Sequence, residues 1–499
     1  MKKYVNNKFA AVALTTALAF GQFSCQTDLL NPVPKTLFSD QVVYDTPARV
    51  LLQVNNMYTS VKSGNFLGGR YYVYGDVRAD DFLNRTNNGV TALGVWNHTL
   101  TETSQNDVIN MWGAAYAAIN QINVFLAGLD ANTAKYVVPT FPADFATVTA
   151  NQYKGEARFL RALCYYSLLQ FYARPYVDGN GSKPGLPLRL KAETNSLNNE
   201  LARSTVAEVY TQILDDLNFA EQNLPLTYGD ATTRTTRAHK NSAIALKTRV
   251  YLTMGNWANV VTEANKIVPA SAPFAAATGV PHALASSIAN VFAPPQETTE
   301  TIMSFPFTAQ NAPGTQNQLA YYFLPSSLGG NGEFSLNPAG IISNTAVLGA
   351  TDARRTNFVV TSGTETFLKK YPTGTPYTDR AQVIRYAEVL LNLAEAKVRA
   401  SNTVDAQSLA LLNAVRGRSN PAGVYTAASF ANAQAFIDAV LLERRVEFLG
   451  EGLRNTDIMR LNATIPAKGA VGAVPPSDSR YVWPIPATEL QTNPLVVRN

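Results

Sequence analysis

Cysteine is nearly missing from this chain: 499 residues contain two, Cys25 and Cys164. A disulfide framework is therefore excluded, and packing must hold the fold, for which a chain of this length can bury a large core. Histidine is almost as scarce. His98, His239 and His282 stand far apart in sequence, and no H-E-x-x-H or C-x-x-C cluster occurs, so nothing has the ligand spacing of a metal centre. A G-x-S-x-G elbow and a Gly-rich phosphate loop with its lysine are missing too. The formal charge is +5 and falls to +2 once Lys2, Lys3 and Lys8 are set aside, with no basic run long enough to suggest nucleic acid. Beyond the first 24 residues no uncharged apolar stretch is long enough to span a bilayer. Asp76, Asp80 and Asp81 offer a carboxylate group that resembles a glycosidase pair or a calcium set. Adjacent Asp80 and Asp81 point different ways on any regular element, whereas glycoside hydrolysis needs two carboxylates facing one bond. The chain is read as a non-enzyme with no catalytic residue, cofactor or metal.

What is present begins at the N-terminus. Lys2, Lys3 and Lys8 flank a largely apolar stretch from Phe9 to Phe20, followed by Gly21, Gln22 and Ser24 just ahead of Cys25. That is the layout of a secretory signal, too short to cross a membrane. The cleavage zone resembles a bacterial lipobox, with Gln22 in a usually apolar place and a bulky Phe23. This makes residues 1–24 a signal peptide and Cys25 the lipid attachment point; an ordinary signal cleaved nearby is the alternative. Pro32 and Pro34 make residues 25–40 an extended leader.

Residues 41–499 read as one domain, mainly α-helical. Helices are expected from about Ala48 to Val61, after Asp107, from Tyr153 to Tyr172 (apolar on nearly all sides, with Cys164 in the core), and after Thr205, which forms a capping box with Glu208. Two helix pairs look alike. One runs from Asn241 to Met254 and on from Trp257; the other from Gln382 to Ala400 and on to Arg416. Short turns and small contact residues suggest tetratricopeptide-like pairs, forming a scaffold over 41–268 and 379–460. Between them, 269–378 is a Pro-, Gly-, Asn- and Tyr-rich insertion with little helical period, expected to carry short strands and, at that length, function.

Three segments carry a specific resemblance: Gly155-Glu-Ala-Arg-Phe-Leu-Arg; Glu443-Arg-Arg-Val-Glu-Phe with Glu451-Gly-Leu-Arg-Asn-Thr-Asp; and Trp483-Pro-Ile-Pro-Ala-Thr-Glu-Leu. In this order, behind a lipoprotein start, they resemble the SusD/RagB family. The resemblance implies a lipoprotein of the outer membrane, on its outer face, that binds an oligosaccharide and hands it to a SusC-like TonB-dependent transporter. Gln26-Thr-Asp after Cys25 is a weak form of the acidic surface-export signal.

The arginines and carboxylates of the second motif, Glu443 to Arg460, read as an ion-pair network holding the last helices to the core. Arg158 and Arg161 beside Glu156 read the same way. A sugar site needs an aromatic platform rimmed by planar polar groups. The stretch Tyr71–His98 and the block Gln310–Phe334 supply them, and the resemblance also draws the ligand site from these two regions. The candidates are Trp96, Asn97, Tyr74, Arg78, Asp81, Tyr321 and Tyr322, with Trp96 prone to be core if its stretch is a strand. The same fold binding oligopeptides, and a helical scaffold without ligand, are the other readings; the near-neutral, Tyr- and Asn-rich loops favour sugars.

Overall fold

The computed structural model describes residues 42–195, 197 and 199–499. Cys25, the signal layout and the leader lie outside the described residues.

The fold is mainly α-helical. Helix α1 (Pro47–Val61) starts where Thr46 accepts a hydrogen bond from the Arg49 amide and Pro47 fills the first turn. It buries Val50, Val54, Met57 and Val61, one stripe in which each side chain is worth ~1.5–3 kcal/mol of apolar burial. Helix α2 (Arg70–Val77) is buried along its whole length. A short α3 (Leu93–Asn97) follows. The long helices α4 (Asn110–Ala131) and α5 (Ala150–Tyr172) each begin with a π-helical turn. Cys164 lies fully buried in α5, where burial pushes its thiol well up. Helix α6 (Val206–Asn223) carries the Thr205–Glu208 capping box and stops ahead of Pro225.

The two helix pairs are α7 (Lys240–Thr253) with α8 (Trp257–Ala264), and α10 (Tyr386–Ser401) with α11 (Ala406–Ser419); α9 (Leu319–Phe323) lies in the block between them. Far apart in sequence, they are neighbours in space, since α8 packs on both α7 and α10 and the Arg399 guanidinium lies 5.0 Å from the Trp257 ring centre. The predicted helix from Gln382 needs correction: Ala381–Arg385 is a strand, and α10 begins only at Tyr386. Val383 and Ile384 suit an extended chain, and this strand pairs antiparallel with Thr301–Phe305.

In chain order the strands are β1 (Phe82–Asn84), β2 (Thr301–Phe305), β3 (Phe334–Leu336), β4 (Val359–Ser362), β5 (Glu365–Leu368) and β6 (Ala381–Arg385). They make three two-stranded antiparallel ribbons: β1–β3, β2–β6 and the hairpin β4–β5, which turns at Gly363 with φ 63°. Ribbon β1–β3 joins the chain after α2 to the middle block, with Phe82 opposite Leu336 and Asn84 opposite Phe334. One hydrophobic core runs from Tyr44 to Val496.

The last helices, α12 (Ala433–Glu447) and α13 (Leu453–Arg460), are held by buried ions. Arg385 reaches Glu447 at 2.9 Å and Glu451 at 2.8 Å, and also pairs with Glu300. Arg354 and Arg416 hold Glu443, Lys370 holds Glu451 at 2.8 Å, and Arg460 bridges Glu395 at 2.7 Å and Asp457 at 2.8 Å. Burial alone would push Asp457 and Glu447 up, but the cations outweigh it. Arg444 and Arg460 bring Asp457 down to about 2, and Arg418, Arg385 and Arg354 hold Glu447 well below the ordinary range. The network expected from the Glu443–Arg460 motif is therefore present. Arg161, however, pairs with Asp216 at 2.8 Å, while Glu156 is taken by Arg237 and the Tyr58 hydroxyl.

Candidate ligand-binding site

Four of the seven candidate binding residues are buried, with their polar groups already engaged. Tyr74 donates to the Asn106 carbonyl at 3.3 Å and packs edge-on against Trp483. Arg78 spends its guanidinium on Asn455 Oδ1 at 2.8 Å and on the Arg480 and Tyr481 carbonyls. Asp81 accepts from the Ile341 amide at 2.7 Å and from Arg445. Tyr322 donates to the Gln316 carbonyl at 2.8 Å, and its ring stacks on Phe334. The expectation that these four present their side chains to a ligand is corrected: all are buried framework residues. Their polar surroundings in sequence misled the reading, because those polar groups serve the core: Asp76, for example, accepts from the Gly452 amide and is pushed by burial up to about 8.

Trp96, Asn97 and Tyr321 are half-buried. Trp96 is pinned by its indole N–H, which donates to the Phe82 carbonyl at 2.9 Å, with the Lys468 ammonium 5.8 Å from the ring centre. Tyr321 accepts from Gln316 Nε2 at 3.3 Å, and burial raises its phenol. Its ring meets Tyr377 at 6.2 Å and 74°, so two half-exposed tyrosines form an angled corner. Tyr377 and Gln316 both have left-handed backbone, with φ 60° and 57°. Such strain in non-glycine residues persists only where the surroundings impose it, and it clusters at ligand clamps. Arg70 imposes it at Gln316: its Nε donates to Asn317 Oδ1 at 2.5 Å and its Nη2 to the Gln316 carbonyl at 3.4 Å.

Glu333 joins the two regions. Fully buried, it accepts from Thr91 Oγ1 at 2.7 Å, from Thr86, and from Asn331 Nδ2 at 2.5 Å, while its carbonyl accepts from the Arg85 amide at 2.9 Å. The loop 85–91, with Asn87 and Asn88, is thereby fixed beside Asn331 and Tyr321. Sequence reasoning missed Tyr377, Arg70 and Glu333. Tyr377 lies inside the Pro- and Gly-rich block singled out for function, but no local pattern separates it from neighbouring tyrosines. Enclosed space lies elsewhere: a cavity of about 220 Å³ behind α3, whose wall includes Arg78 and His98, and a wide depression of about 500 Å³ at the α7–α8 turn beside Trp257. Two histidines that the sequence separates come together, His239 stacking on His282 at 5.1 Å.

Residues 39–252 match the family described as starch-binding associating with outer membrane, and residues 331–499 match the SusD family. A SusD superfamily protein of Bacteroides fragilis has a similar structure, with TM-score 0.79 and 31% identity over 91% of this chain and 99% of that one. The chain belongs to the SusD/RagB family, a family of binding proteins associated with the outer membrane. A SusD-like protein of Formosa agariphila is 23% identical over 100% of this chain and 99% of its own length. A laminarin-binding SusD-like protein shares the fold at TM-score 0.67 and 21% identity, over 91% of this chain and 99% of that one.

Proposed function

We propose that this protein captures oligosaccharides at the cell surface and passes them to a SusC-like TonB-dependent transporter. The observation that carries the reading is the Tyr321–Tyr377 corner, flanked by Gln316, Asn331 and the Asn87–Asn88 loop. A sugar presents a C–H face to one ring and hydroxyls to the amides around it. Trp96 and Asn97, half-buried on α3, remain proposed contributors to ligand binding. The laminarin-binding relative supports a glycan as the ligand class. Stacking contributes on the order of 1 kcal/mol beyond area burial, and losing a whole anchor costs more. The double variant Tyr321→Ala/Tyr377→Ala should bind a soluble β-glucan at least about tenfold more weakly, ~1.4 kcal/mol, with an almost unchanged melting temperature. Calorimetric titration of a polysaccharide panel checks this; unchanged affinity in the double variant would move the site.

Delivery needs an anchor and a partner. Cys25 is the proposed lipidated residue, and bacterial lipoproteins carry more than one acyl chain, as stable anchoring requires. Cys25→Ser should release the protein from the membrane fraction; retention with continued fatty-acid labelling would contradict this. Gentle detergent extraction through a tag on this chain should recover a large outer-membrane β-barrel.

A further inference from the structure

The 220 Å³ cavity behind α3 is distinct from the Tyr321–Tyr377 surface and has its own chemistry. Leu100, Val482 and Trp483 give it an apolar floor, while Arg78, Arg480, Arg498, His98 and the carboxylate of Glu102 stand around it. Its charge is not balanced. Glu102 is tied to Arg498 at 2.5 Å, and Asp478 to Arg480 at 2.6 Å. That leaves Arg78, at 1% exposure, on the cavity wall, with Lys468, at 2%, buried behind it. The hydrogen-bond partners of both are neutral: Lys468 donates to the Val77 carbonyl at 2.8 Å and the Arg78 carbonyl at 2.5 Å, and sits 3.4 Å from His98 Nε2. Asp80, the carboxylate that acts on Lys468, is already held by Arg445 at 2.8 Å and Arg454 at 3.4 Å.

Buried charges in proteins are ordinarily paired, because desolvation without a counter-ion is costly. Burial and the neighbouring cations act together on the ionisable groups here. Burial, then Lys468, Arg78 and Arg480, push His98 down to about 3; burial takes Arg78 down to about 10; and burial with Arg78 takes Lys468 well below its ordinary value. We propose that this cavity binds a small organic carboxylate, its acid group toward Arg480 and Arg498 in the field of the buried Arg78 charge, and its carbon skeleton on Trp483 and Val482. The volume corresponds to roughly seven waters, the size of one sugar acid or one amino-acid residue. The carboxylate could belong to a uronic acid or to a peptide terminus, and the test separates the two.

The purified protein is titrated calorimetrically with glucuronate, glucose and N-acetyl-leucine. At least one acid should bind saturably, at least about tenfold tighter than glucose, and more weakly as salt rises from about 0.05 M to about 0.5 M. Glucuronate alone would indicate a sugar acid, and N-acetyl-leucine alone a peptide carboxylate. Arg480 and Arg498 are exposed, so Arg480→Gln/Arg498→Gln should fold normally yet bind the acid about tenfold more weakly, while Ser479→Trp should block the mouth. Tyr321→Ala/Tyr377→Ala should leave acid binding unchanged, so this proposal and the glycan reading fail separately. Saturable binding of neither acid, glucose binding as well as the acids, or full affinity in both cavity variants would overturn the proposal.

Discussion

Replacing Arg385 by alanine is expected to destabilise the protein by ~3–5 kcal/mol, the cost of breaking a buried ion pair by removing one partner. The size follows from what is left behind. Arg385 is 1% exposed and serves Glu300, Glu447 and Glu451 together. Arg418 and Lys370 remain to hold part of that charge, which limits the loss. Since Glu300 precedes β2, Arg385 closes β6, and Glu447 and Glu451 flank the end of α12, the loss should detach the last helices from the middle ribbon. Arg385→Lys keeps the charge without the planar fork and should cost less. Urea unfolding measures both, with exposed Arg498→Ala as the control for a pair on the surface. An Arg385→Ala loss below about 1 kcal/mol, the scale of a surface pair, would contradict the account.

The second large effect appears in acid. Burial and then His282 push His239 down to about 3, and burial pushes His282 down to about 4. Both folded values lie below the unfolded value of about 6.5. As pH falls below about 6.5 the unfolded chain takes up the proton first, so each histidine costs ~1.4 kcal/mol of stability per pH unit until its folded value is reached. Three carboxyls work the other way: burial pushes Asp76 up to about 8 and Asp107 and Asp379 up to about 6, so each stabilises the fold as pH falls toward the unfolded carboxyl value. His98, also down to about 3 through burial and then Lys468, adds a third such histidine, so three histidines oppose three carboxyls, total stability is nearly flat in this window, and the informative quantity is a difference. His282→Gln, whatever it costs at pH 7.5, should gain ~1.4 kcal/mol on the native protein for each unit between about 6.5 and 4. Denaturant midpoints across that range measure it. A constant offset between the two proteins would show that His282 titrates normally.

Legibility in the sequence was uneven for physical reasons. Helix periods, the Thr205–Glu208 box and the dense arginine–carboxylate motif are local signals, and the structure carries them. The strand Ala381–Arg385 escaped because its extended form depends on Thr301–Phe305, some eighty residues earlier. The site was harder still. Tyr321 and Tyr322 are adjacent and chemically identical, yet the helical turn of α9 sends one to the surface and the other onto Phe334. Arg78 and Asp81 looked like ligand groups because polarity was visible and their partners, Asn455 and Arg445, were not. Tyr377 and Glu333 become meaningful only once the insertion has folded against loop 85–91.

Hydrogen–deuterium exchange with and without a bound glycan tests the central claim most directly, because it locates the ligand without a substitution. The account predicts added protection in 313–333, in 373–379 and in loop 85–91, with the α7–α8 turn unchanged. Protection confined to the helix pairs, with these three segments exchanging as in the free protein, would contradict it.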